Sequence, residues 1–108
     1  MKLIFTHYID RDPEAVVARL DGAVAAGLDA AAARTAAPRH DALTTPTGDG
    51  LHIDGGLDTL TGTDLRIGGA HRLTELRVEV PWSQRDAGTS KLWAANRFAG
   101  VLADQLAA

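Results

Sequence analysis

Between Arg72 and Ala108 the spacing of apolar residues changes period, and that change limits the fold more than any other feature of the chain. Leu76, Val78, Val80 and Trp82 alternate with Glu75, Arg77 and Glu79. Successive side chains of a strand point to opposite faces, so this segment predicts a strand with one buried side. On that parity Glu79 is expected on the solvent side, where its replacement should be nearly neutral. After a short loop, Leu92, Ala95, Ala99, Leu102 and Leu106 recur three or four apart. That spacing predicts one apolar stripe along a helix of about five turns. The strand face and the helix stripe each need a cover, and the simplest arrangement packs the closing helix on the sheet.

Upstream, Lys2–Ile9 reads as a strand with Leu3, Phe5, His7 and Ile9 on one face. The Asp12-Pro13-Glu14 run then predicts a helix start. Asp12 is suited to the N-cap, Pro13 to the first helical position and Glu14 to the positive helix end. Two helical segments are expected, divided near Asp21-Gly22, the second reaching about Ala36, with Pro38 as the stop. Short strands at Asp41–Thr45 and Leu51–Asp54 flank a Thr47-Gly48-Asp49-Gly50 turn. A longer strand is expected from Leu57 to Ile67, with Gly68-Gly69 turning the chain into the Leu76–Trp82 strand. Thr89 or Ser90 should cap the last helix.

The 108 residues fit one domain, 1–108, large enough to bury a core of its own. Only 5% of them are aromatic, so much of that core must be Leu, Val, Ile and Ala. The formal charge is −3 and the arginines are scattered beside acidic residues, which speaks against nucleic acid as a partner. With no cysteine, disulfides and thiolate chemistry are excluded. No segment is apolar and long enough for membrane insertion, and the apolar N-terminal run is broken early by His7, Asp10 and Arg11. The cytoplasm is the expected compartment. The preference for Arg, Asp and Ala suggests a bacterial genome of high GC content.

The stretch Phe5-Thr6-His7-Tyr8-Ile9-Asp10-Arg11-Asp12-Pro13-Glu14-Ala15-Val16 resembles the opening of the helix-grip domains of the START-like, or SRPBCC, superfamily, which includes polyketide cyclases and ligand carriers. Gly62–Trp82 and the closing helix with Asn96-Arg97-Phe98 extend the resemblance over nearly the whole chain, in a shortened form. It implies an α+β fold: an antiparallel sheet of about five strands gripped by a long C-terminal helix, with helical segments after the first strand. It also implies binding of a small apolar or amphipathic molecule, with or without catalysis.

Three residues are the candidates for contact with such a ligand: His7, Trp82 and Asn96. His7 shares a face with Leu3, Phe5 and Ile9, where an imidazole can act as acid, base or hydrogen-bond donor. Trp82 ends the apolar strand face. Asn96 is expected within the apolar arc of the last helix, and with His7 it forms the one reasonable polar pair for a cyclase or dehydratase. His52 and Asp54 share a strand side but lack a third ligand at suitable spacing, so no metal site is expected and no cofactor is implied. Beside the binding module stand two alternatives: that enzyme, with His7 as acid or base, and a non-catalytic interaction domain with a filled core. Trp93, if exposed, would mark a partner surface.

Overall fold

The structure, a computed structural model, describes residues 1–35 and 38–108. Strand β1 (Lys2–Ile9) is followed by helices α1 (Pro13–Ala18) and α2 (Leu20–Thr35). Strands β2 (Ala42–Thr47), β3 (Gly50–Gly55), β4 (Thr63–Ala70) and β5 (Leu73–Pro81) form an antiparallel meander, and α3 (Lys91–Ala107) closes the chain. The fold is therefore α+β, with one five-stranded antiparallel sheet in the order β1-β5-β4-β3-β2. The first strand lies beside the last, which places β1 and β2 at the two edges.

All helices cover one face of the sheet. That face presents Leu51, Ile53, Leu65, Leu76, Val78 and Val80, and the helices answer with Val16, Leu20, Val24, Leu28, Phe98, Leu102 and Leu106, all buried. Burial of such side chains stabilises by roughly 1.5–3 kcal/mol each before entropy is counted. The parity expected for the last strand holds, with Leu76, Val78 and Val80 inside. Trp82 lies one residue beyond the end of β5 and is half-buried.

The helix stripe is rotated from its expected position. Ala94, Ala95, Phe98, Ala99, Leu102, Ala103 and Leu106 face the core, while Leu92 is 52% exposed and Asn96 is exposed. Phe98 decides the rotation. It is the largest fully buried side chain, and turning it inward carries Leu92 and Asn96 to the outside.

Three local expectations are also corrected. The break between α1 and α2 falls at Arg19, so Gly22 and Gly27 both lie inside α2; Ala36 lies outside the described residues. The expected Leu57–Ile67 strand begins only at Thr63. Leu57 and Leu60, three residues apart, are buried together across a short 3-10 turn (Asp58–Leu60), and Gly62 at φ +85° redirects the chain into β4. Gly68 and Gly69 stay within β4, and the turn is His71-Arg72.

That turn explains why Asp12 does not cap α1 with its side chain, although it holds the N-cap position. Its carboxylate instead accepts the Arg72 N–H at 2.5 Å and lies 2.9 Å from His71 Nδ1. Arg72 has φ +59°, an unusual conformation for a residue with a side chain, and the charge-assisted bond holds it there. At the same end of the molecule, the guanidinium groups of Arg11 and Arg19 reach the carbonyls of Ala107 and Ala108. Cations there oppose the negative end of the α3 dipole.

Candidate binding groove and the charged sheet face

Helix α1 is short and lies across the ends of β4 and β5. It leaves a cleft between itself, the start of α2 and the β2–β3 turn. The cleft is an open groove of about 700 Å³, within the range of small-molecule sites. Pro13, Val17, Leu20, Pro46, Leu51 and Ile67 supply its apolar walls. Three carboxylates, Glu14, Asp21 and Asp49, line it as well. Asp49 is paired with Arg66 at 3.1 Å, whereas Glu14 and Asp21 make no ion pair among the described residues.

The three residues selected from the sequence do not converge. His7 is half-buried on the helix-covered face, in a row that runs from His7 to Leu76 to Ile67 across β1, β5 and β4. Leu76, fully buried, therefore stands between His7 and the groove wall. Trp82 lies six residues along from Leu76, about 20 Å from His7 at the usual strand rise. Asn96 is exposed on the outer side of α3, so the proposed pairing of His7 with Asn96 is not formed. Trp93 is 38% exposed, on the side of α3 away from the core. The groove was hidden from the sequence because its walls come from four separate segments: α1, the start of α2, the β2–β3 hairpin and Ile67 of β4. Val17, whose helical spacing with Leu20 and Val24 predicts burial, is instead 55% exposed and lines the groove.

Among the described residues the opposite face of the sheet has no helix on it, and it carries a network of charges. Glu79 lies on this face, as its parity requires, yet it is only 6% exposed. Lys2 Nζ (3.4 Å), Arg66 Nε (3.1 Å) and Arg77 Nη1 (3.9 Å) surround its carboxylate. The expectation of a freely solvated Glu79 is thus corrected: long basic side chains from the strands on both sides fold over it. Glu79→Ala should lower stability by about 1–2 kcal/mol, since the three cations lose their shared counter-charge. Val78→Ala should lower it by about 1–3 kcal/mol for a different reason, lost packing. Urea denaturation distinguishes the two mutants, because only the Glu79 loss shrinks at high salt.

Next to Glu79, His52 Nδ1 lies 2.6 Å from Asp64 and Nε2 lies 3.3 Å from Asp54. The hydrogen bond to Asp64 raises the pKa of His52 against the opposing effect of burial, and the charges of Asp64 and Asp54 add to the rise. A group whose folded pKa is raised stabilises the fold below its unfolded value, about 6.5 for histidine, and loses that contribution as pH rises through the folded value. The urea midpoint should therefore fall between about pH 6 and pH 9 by more in the wild type than in His52→Asn. Equal falls in the two proteins would mean that this imidazolium is not held by its carboxylates.

Among the described residues no group of three or more His, Cys, Asp or Glu side chains is arranged to hold a metal ion. None of the helices there is long and apolar enough to cross a membrane. Comparison of the chain with protein-family models, curated proteins and solved structures found no match.

Proposed function

We propose that this protein is a small non-catalytic binding module for an apolar or amphipathic molecule carrying a positive charge, held in the groove between α1 and the β2–β3 turn. The observation that carries this reading is an apolar cleft of about 700 Å³ bordered by two carboxylates, Glu14 and Asp21, that have no cation of their own among the described residues. The apolar walls favour a hydrocarbon or aromatic body, and the carboxylates favour a cationic end over an anionic one. Kinship with the START-like, helix-grip domains belongs to the same proposal. Its support is the order of one strand, two helices, a four-strand meander and a closing helix. In domains of that kind the ligand is expected between the sheet and the closing helix. Here Phe98, Leu102, Leu106, Leu76, Val78 and Val80 are fully buried in that layer, and the binding site moves sideways under α1. A cytoplasmic setting is part of the proposal.

The test uses octyltrimethylammonium and octyl sulfate, below their micellar concentrations, followed by amide chemical shifts. The cation should perturb residues around Val17, Gly48 and Ile67 and bind at least about fivefold more tightly than the sulfate, a difference of about 1 kcal/mol. Glu14→Gln with Asp21→Asn should erase the preference, and Val17→Asp should weaken both ligands. Equal affinities in the wild type, or shifts confined to other surfaces, would refute the reading.

A further inference from the structure

We propose that two copies of this chain associate through their β1 strands, antiparallel about a two-fold axis, so that two five-stranded sheets join into one of ten. The edge of β1 is open, and the direction of its backbone groups follows from the register. The Trp82 N–H donates to the Met1 carbonyl at 3.0 Å, and Pro81, which has no N–H, stands opposite Lys2. Residues of an antiparallel pair alternate between bonded and non-bonded positions. Leu3, Phe5, His7 and Ile9 therefore direct their backbone groups at β5, and Lys2, Ile4, Thr6 and Tyr8 direct theirs outward. Among the described residues nothing accepts or donates on that side.

Edge strands are normally protected by charge, proline, bulges or brevity. β1 has none of these beyond Lys2 at its start. It runs eight residues in unbroken register with β5, and Leu3–Ile9 holds no lysine, arginine, carboxylate or proline. The other edge, β2, is shorter and contains Pro46. Two apolar side chains of β1 are left in water on the open sheet face, Ile4 at 57% exposure and Tyr8 at 68%.

A second copy is the occupant that fits, because the outward pattern is its own complement. With Phe5 on the two-fold axis, Lys2 pairs with Tyr8 of the second copy and Ile4 with its Thr6. The four bonded pairs so formed would exchange about eight hydrogen bonds. The same register sets Phe5 against Phe5 on the helix-covered side and covers Ile4 with a threonine on the other. No like charges meet. The contact is isologous and closes at two copies.

Sedimentation equilibrium from about 5 to about 500 µM should show the mass rise from 11.4 kDa to about twice that value. Thr6→Pro removes one outward donor without touching the β1–β5 ladder, and Ile4→Lys places two like charges near the axis. Each should leave a folded monomer, by circular dichroism, at every concentration; either variant alone suffices if the other does not fold. In the wild type, amide exchange at Ile4, Thr6 and Tyr8 should slow at least tenfold with concentration while Leu3 and Phe5 stay unchanged. A wild type that remains monomeric overturns the proposal. So does a dimer indifferent to both variants, or growth past two copies, which would indicate head-to-tail pairing of β1 with β2.

Discussion

Replacing Phe98 with alanine will lower the unfolding free energy by about 3–5 kcal/mol, the largest loss expected from any single truncation in this core. The ring is fully buried on α3 and presses into α2 at Gly27. A Cβ at Gly27 would stand 2.8 Å from Phe98 Cδ1 and 3.2 Å from the Phe98 carbonyl oxygen. The glycine thus provides the recess the ring occupies, at a helix-propensity cost of about 1 kcal/mol relative to alanine. Gly27→Ala should itself destabilise in the wild type, because the overlap outweighs the gain in propensity. In the Phe98→Ala background the same change should be neutral or stabilising. Urea denaturation of the four proteins gives the coupling directly. Additive effects would mean that ring and glycine are not interlocked.

Gly50→Ala will cost about 3 kcal/mol or more. The added Cβ would lie 1.7 Å from the Leu65 carbonyl oxygen and 2.7 Å from its carbon, both backbone atoms of the neighbouring strand. No rotamer relieves such an overlap, so β3 and β4 must separate at that end. Gly48→Ala is the control, two residues away in the same turn, with nothing within 4 Å of the new atom. Its thermal midpoint should stay close to that of the wild type, while that of Gly50→Ala drops. Because Gly50 also lines the groove, any Gly50→Ala protein that folds should bind octyltrimethylammonium more weakly. A Gly50→Ala protein as stable as the wild type would mean that the two strands do not approach this closely.

The alternation of Leu76, Val78 and Val80 was legible because strand parity is a local property, and it fixed the covered face of the sheet. The closing helix was legible in extent but not in rotation. Two overlapping arcs of similar apolarity were available on α3, and the choice between them rested on Phe98 meeting Gly27, a contact between residues 71 positions apart. Leu57–Thr63 failed for a related reason. Its threonines imitate strand parity, while the buried pair Leu57 and Leu60 belongs to a turn whose shape depends on Gly62. Asp12 was assigned a local role and has a distant one, because the His71-Arg72 turn comes to it only once β1 and β5 are paired. The groove was not legible, since no one segment contains more than part of its wall.

The neighbouring positions of β1 and β5 also set the order in which the molecule can assemble. Lys2 pairs with Pro81 and Ile9 with Thr74, so the first strand has no place to dock until most of the chain is available. The β2–β5 meander is built from short-range hairpins and can form early, whereas closing the sheet with β1 joins points more than sixty residues apart. Contacts of such separation slow folding, because the loop must be ordered before the pairing is gained. During synthesis, the segment Leu3–Ile9 is made well before β5, the strand it pairs with. For that interval both of its edges are open, and a chain held up at this step carries an uncharged, β-prone heptapeptide into solution.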